Sequence, residues 1–94
     1  MVKTCRQVGI APGDLIIVRK SWTYLYVKRT LQQLNDCAVA DIVKNDWVIA
    51  PIDTMLLIIA IAPSSSYFTF KHWFYVLSMG NSGATLGWIA SNDF

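Results

Sequence analysis

Met55-Leu56-Leu57-Ile58-Ile59-Ala60-Ile61-Ala62 is the most apolar run in the chain, and the fold follows from how it is read. As a helix, eight residues rise about 12 Å, far short of the roughly 30 Å of a bilayer's hydrocarbon core, so the run is no helical membrane span. As a strand it reaches about 26 Å, and the β-branched Ile58, Ile59 and Ile61 favour that conformation. Asp53 before it and Pro63-Ser64-Ser65-Ser66 after it are turn punctuation. Apolar residues at both odd and even positions predict burial on both faces, which makes this the central strand of a small barrel or a covered sheet.

Working outward, Trp47-Val48-Ile49-Ala50 reads as extended up to Pro51, which lacks a backbone donor and belongs at an edge or a bend. On the other side, Tyr67-Phe68-Thr69-Phe70 and Trp73-Phe74-Tyr75-Val76-Leu77 read as extended segments. Gly80-Asn81-Ser82-Gly83 is the clearest hairpin turn, because Gly and Asn tolerate the positive φ such turns demand. It leads into a last strand, Ala84 to Ala90. Nearer the start, Met1 to Ile10 reads as a loose leader and Ala11-Pro12-Gly13-Asp14 as a turn. Leu15 to Val18 and Trp22 to Val27 are then two short strands or one bent strand. Between Lys28 and Lys44, Leu31, Leu34, Ala38 and Ile42 recur at helical spacing, but Asn35-Asp36 interrupts them and no clear cap is visible. A long loop holding one turn of helix is expected there.

The chain of 94 residues is the size of one domain, with 54% hydrophobic residues and four each of Trp, Tyr and Phe, a composition that opposes disorder. All six acids are Asp, which prefers caps and turns, while the good helix former Glu is absent. A net charge of +2 is too mild to name a nucleic acid as partner. Cys5 and Cys37 are too few for a zinc site, and sequence leaves open whether they lie close together. No long apolar run follows the basic start, so no secretory signal is read and a reducing cytoplasm with free thiols is the expected compartment.

The order of pieces resembles the Src-homology-3-like barrel. A Pro-Gly-Asp turn opens the first apolar strand, then come an aromatic segment beside a long loop, a buried strand, a hairpin, and the step Gly87-Trp88-Ile89. More narrowly, Gly13-Asp14-Leu15, Tyr24-Leu25-Tyr26 and Gly87-Trp88-Ile89 are similar to motifs of small barrel proteins encoded by tailed phages of marine bacteria. The likeness covers most of Pro12 to Phe94. It implies an all-β barrel of about five antiparallel strands with a turn of 3-10 helix near Ala90-Ser91-Asn92-Asp93, and a phage-encoded module in the host cytoplasm or the virion. The stop at Phe94 and the long stretch from Lys28 to Lys44 depart from the family pattern.

Catalytic signatures are sparse. His72 is the only histidine, flanked by Lys71 and Trp73, and reads as a surface residue; a set of Cys37, His72 and an Asp can be written for any chain that has one of each. No carboxylate pair, metal cluster or phosphate loop is recognisable, so no enzyme activity, cofactor or metal is expected. Aromatic residues offer the better lead. Tyr24, Tyr26, Trp47 and Trp88 either help fill the core or line a partner-binding groove. Arg19, Lys20, Lys28 and Arg29 flank the aromatic segment and form either a solvated rim or the phosphate-contacting edge of a single-strand nucleic-acid binder. With a mean hydropathy of +0.41, a third outcome is an exposed apolar patch used for self-assembly. The expectation is a non-enzymatic binding or assembly module whose partner is a protein or a second copy, with nucleic acid as the alternative and no membrane.

Overall fold

The computed structural model describes residues 2–3, 9–21, 23–27, 30–36, 47–65, 68–80 and 83–92. The long apolar run forms strand β5, Met55–Pro63, and does so around an irregularity: Ile58 pairs with Val76 and Ala60 with Tyr75, leaving Ile59 as an extra residue in a bulge. A bulge breaks the alternation of strand side chains. Leu56 and Ile58 face the core before it and Ile61 packs against the core after it, while Ile59 is 42% exposed. The expected burial on both faces is therefore corrected. Apolar residues occupy both parities of the run because the core-facing parity changes partway along.

Preceding β5 in the chain are β1 (Val2–Lys3), β2 (Leu15–Ile17), β3 (Thr23–Tyr26), a helix α1 (Leu31–Asp36) and β4 (Trp47–Ala50). After it come β6 (His72–Gly80) and β7 (Gly83–Ala90). All seven strands lie in one sheet in the order β1-β2-β5-β6-β7-β3-β4, antiparallel except that β1 runs parallel to β2. The fold is all-β. Seven strands replace the expected five, and the sheet is open, with β1 and β4 at its edges. Part of the expected leader forms β1. Phe68 to Phe70, expected to be extended, lie in a bend, and Ser91-Asn92 forms a turn, with no 3-10 helix among the described residues.

One bent ribbon organises the sheet. Ile17 pairs with Met55 and Thr23 with Ala50, so residues 18–21 of one limb face residues 51–54 of the other at a corner. The corner is held by Val18 N donating to Thr54 O (3.0 Å), Asp53 N to Val18 O (2.8 Å) and Thr54 N to Pro51 O (3.1 Å). Asp53 takes a left-handed φ of 70°, a conformation Asp tolerates better than most residues. Pro51 thus sits at a bend, as its missing donor requires. Of the two readings of Leu15 to Val27, the two short strands are what forms, β2 and β3, with the chain turning a corner between them.

At its start the ribbon is pinned by the Pro12-Gly13 turn. Gly13 N donates to Ile58 O (2.8 Å) and Ile58 N donates to Asp14 O (2.9 Å), while the Asp14 carboxylate accepts from Ala11 N (2.8 Å). Gly13 has φ 94°, which side-chain-bearing residues rarely adopt. The main core lies under the inner face, where Ile16, Val18, Leu25, Leu56, Ile58, Val76 and Ile89 are all at most 1% exposed.

The join between β7 and β3 rests on Gly87. A β-carbon there would sit 2.8 Å from both Leu25 Cγ and the Tyr26 carbonyl oxygen, a contact no side chain fits. Gly87→Ala is expected to cost about 1–3 kcal/mol, through overpacking, and to lower the thermal midpoint by on the order of 10 °C. Gly80→Ala, where nothing lies within 4 Å of the added carbon, should shift it far less. Thermal denaturation of the two variants decides; equal shifts would remove the close-approach argument.

Candidate functional site

Residues directly opposite one another in a ladder point to the same face, so the registers sort the side chains into rows. On the inner face run Ile16, Leu56, Ser78 and Thr85, then Ile58, Val76 and Gly87, then Ile61, Phe74 and Ile89. On the outer face one row is Leu15, Leu57, Leu77 and Leu86, and beside it lies Ile17, Met55, Met79 and Ala84. A third outer row crosses five strands: Ala60, Tyr75, Trp88, Tyr26 and Trp47. None of these thirteen outer residues carries a charge, and none is fully buried. Met79 is 45% and Leu86 46% exposed.

A fourth outer row, Ala62, Trp73 and Ala90, is covered. Leu34 is fully buried with Trp73 and Ala90 in a second core, and Leu31, Phe68 and Phe70 pack around them. The helix that supplies this lid is capped. The Thr30 hydroxyl accepts from Gln33 N (3.3 Å) and the Gln33 side-chain oxygen accepts from Thr30 N (2.9 Å), a capping box written in the sequence as Thr-x-x-Gln. The expectation of no clear cap is corrected accordingly; Ala38 and Ile42 of the proposed helical face lie outside the described residues. Asn35, expected to interrupt the helix, anchors it: its Oδ1 accepts from the Trp73 indole (3.0 Å) and from Ser65 N (2.9 Å).

Of the four aromatic residues singled out from sequence, Tyr26, Trp47 and Trp88 fall in one row, and Tyr24 joins it edge-on to Trp47 at 4.8 Å. They do not form a single cleft. Tyr26 turns toward Trp73 (5.8 Å), while Trp88 stacks at a tilt on Tyr75 (4.8 Å). A hollow of about 320 Å³ between Tyr26, Thr30, Leu31, Tyr75, Leu86 and Trp88 marks where α1 stops covering the face. Tyr75 and the two aliphatic rows were missed as site residues. Their signal is an apolar residue at every second position of β6 and β7, masked because the alternate positions are largely apolar too.

The basic rim is only partly visible. Arg19 Nη1 contacts Asp53 Oδ1 at 3.0 Å, with both side chains well exposed, and Lys20 Nζ donates to the Asn92 carbonyl. Lys28 and Arg29 lie outside the described residues, as do Trp22, Cys5 and Cys37. His72 is exposed at the start of β6, as expected. Among the described residues no group of three His, Cys, Asp or Glu side chains is placed to hold a metal ion, and no helix is long and apolar enough to cross a membrane. No protein-family model matches the chain, and neither a curated protein nor a solved structure matches it.

Asn35→Ala leaves the indole N–H of Trp73, itself 1% exposed, without its acceptor. The expected loss is about 1–3 kcal/mol, the cost of an unsatisfied buried donor. Urea denaturation followed by Trp fluorescence measures it, and a loss near zero would mean that Asn35 does not hold the lid.

Proposed function

We propose that the protein is a non-enzymatic binding or assembly module that makes protein contacts through the outer face of its sheet. The observation that carries this reading is the registered set of three uncharged, partly exposed rows, two across β2, β5, β6 and β7 and the third across β5, β6, β7, β3 and β4. An apolar surface of that extent on a soluble domain is expensive to leave in water unless something covers it in use. Aromatic and Met side chains, both present here, are enriched where partners meet, and charge is depleted there. The barrel of Src-homology-3-like type and the phage origin belong to the same proposal. The bent ribbon supports the barrel, since its two limbs are joined to opposite ends of the β5-β6-β7 meander.

Retention on a phenyl-substituted matrix tests the surface. The wild-type chain should elute late in a falling ammonium sulfate gradient, and Met79→Lys combined with Leu86→Lys should elute clearly earlier. Ile52→Lys, which removes an equally exposed side chain from the corner turn, should change little. If all three behave alike, the face has no special stickiness and the reading falls. A mixed single-stranded oligonucleotide should add no mass in light scattering at 50 mM or 500 mM salt; a gain confined to low salt would instead favour the basic rim.

A further inference from the structure

Independently of the outer face, we infer that a hollow at the hairpin end of the inner face binds a small uncharged molecule with a hydrocarbon body and one hydrogen-bonding head. The hollow measures about 520 Å³ and lies between β4 with the corner that follows it and the hairpin ends of β6 and β7. That volume is within the usual range of small-molecule sites. Its walls are largely apolar. Leu25 and Ala50 are buried at the bottom, and Val48 and Ile52 stand 45% and 50% exposed at the sides.

The polar part of the lining is what points to a ligand. Ser78 and Thr85 stand directly opposite each other on β6 and β7, in the inner row that also holds Ile16 and Leu56. Ser78 is only 8% exposed, yet neither its hydroxyl nor that of Thr85 has a hydrogen-bond partner among the described residues. No fully enclosed side-chain oxygen there lacks a partner, so the Ser78 hydroxyl is reached from the hollow it lines. Thr23, the other buried polar residue described, differs: its hydroxyl donates to the Lys20 carbonyl at 3.2 Å. A hydroxyl drawn out of water without a partner is destabilising, and a bound head group supplies the missing partner. Side chains opposite each other in a ladder have β-carbons about 4.5–5.5 Å apart, so one head group seated between Ser78 and Thr85 bonds to both.

The same lining sets the charge of the ligand. Asp53 is the only charged residue on it, and the Asp53 carboxylate already contacts Arg19 Nη1 at 3.0 Å. A cationic head therefore finds that carboxylate taken, and an anionic head finds no positive partner, so an ion would be desolvated without compensation. A hydroxyl both donates and accepts, which suits a neutral alcohol or amide head in either direction.

Titrating the isotope-labelled whole chain with n-octanol, followed by amide NMR, tests this. The expected result is saturable shifts at Leu25, Ser78 and Thr85, with a dissociation constant on the order of 0.1–1 mM. Octanoate and octylammonium should bind at least about 10-fold more weakly. Ser78→Ala and Thr85→Val should each weaken octanol about 5–10-fold, with little or no fall in the thermal midpoint, because neither removes a hydrogen bond within the fold. If Ser78→Ala does not fold, Thr85→Val, at a partly exposed position, makes the same comparison. Absence of saturable shifts up to the solubility limit of octanol would mean that the hollow holds only water, and overturns the inference. Equal binding of the charged analogues, shifts confined to Leu77 and Leu86 on the outer face, or unchanged octanol affinity in both variants overturns it as well. The contact-module reading stands or falls separately, on the phenyl matrix, because Ser78 and Thr85 lie on the opposite face of the sheet.

Discussion

The two hydrogen bonds that Ile58 exchanges with Gly13 and Asp14 set the terms for much of the rest of the sheet. They lock the start of the bent ribbon onto β5 immediately before the bulge at Ile59, and the bulge decides which residues of β5 face inward beyond it. Without that one-residue slip, the alternation would turn Ala60 and Ala62 toward the core and Ile61 toward solvent. With it, Ile61 reaches the core, and Ala60 and Ala62 lie opposite Tyr75 and Trp73. Small residues at those two points leave room for the large rings beside them.

From there the sheet acquires two kinds of surface. Its inner face is filled with branched aliphatic side chains, and among the described residues no fully enclosed side-chain nitrogen or oxygen lacks a hydrogen-bond partner. Ser78 and Thr85, opposite each other in register, sit toward the hairpin end where the inner face opens. The outer face is divided instead. Helix α1 and the bend at Phe68 to Phe70 seal one end of it, with Asn35 providing the polar fastening, and the remainder stays half-exposed.

Much of this is legible in the sequence, and the failures have physical causes. Turn chemistry is local, so Pro12-Gly13-Asp14, Pro51 and the pairing of β6 with β7 up to Gly80 and Gly83 are read correctly from residue type alone, while Asn81 and Ser82 lie outside the described residues. The all-β class follows from β-branched and aromatic runs between those turns. The bulge at Ile59 is not legible, because an extra residue in an all-apolar run leaves no trace in composition; it exists only relative to Val76 and Tyr75 on the next strand. Phe68 to Phe70 look like a strand by propensity, yet they bend because their rings pack on Trp73, a tertiary demand that outweighs local preference. The aromatic row is legible in part. Tyr26, Trp47 and Trp88 share a row only because β3 lies between β7 and β4, and nothing near Tyr26 in the chain announces a neighbour near the other end.

That join has a kinetic side. Tyr26 and Trp88 are 62 positions apart, whereas β5, β6 and β7 follow one another through short connections. Closing a long loop costs entropy before any contact repays it, so the meander is the natural first structure and the β3-β4 wing the late arrival. Among the described residues the same wing has a single registered pair holding it to β7, beside a glycine that offers no side chain to the contact. The β3-β7 seam is therefore expected to open more readily than the β5-β6-β7 meander, so that amide protons along it exchange with solvent sooner than those of β5 and β6.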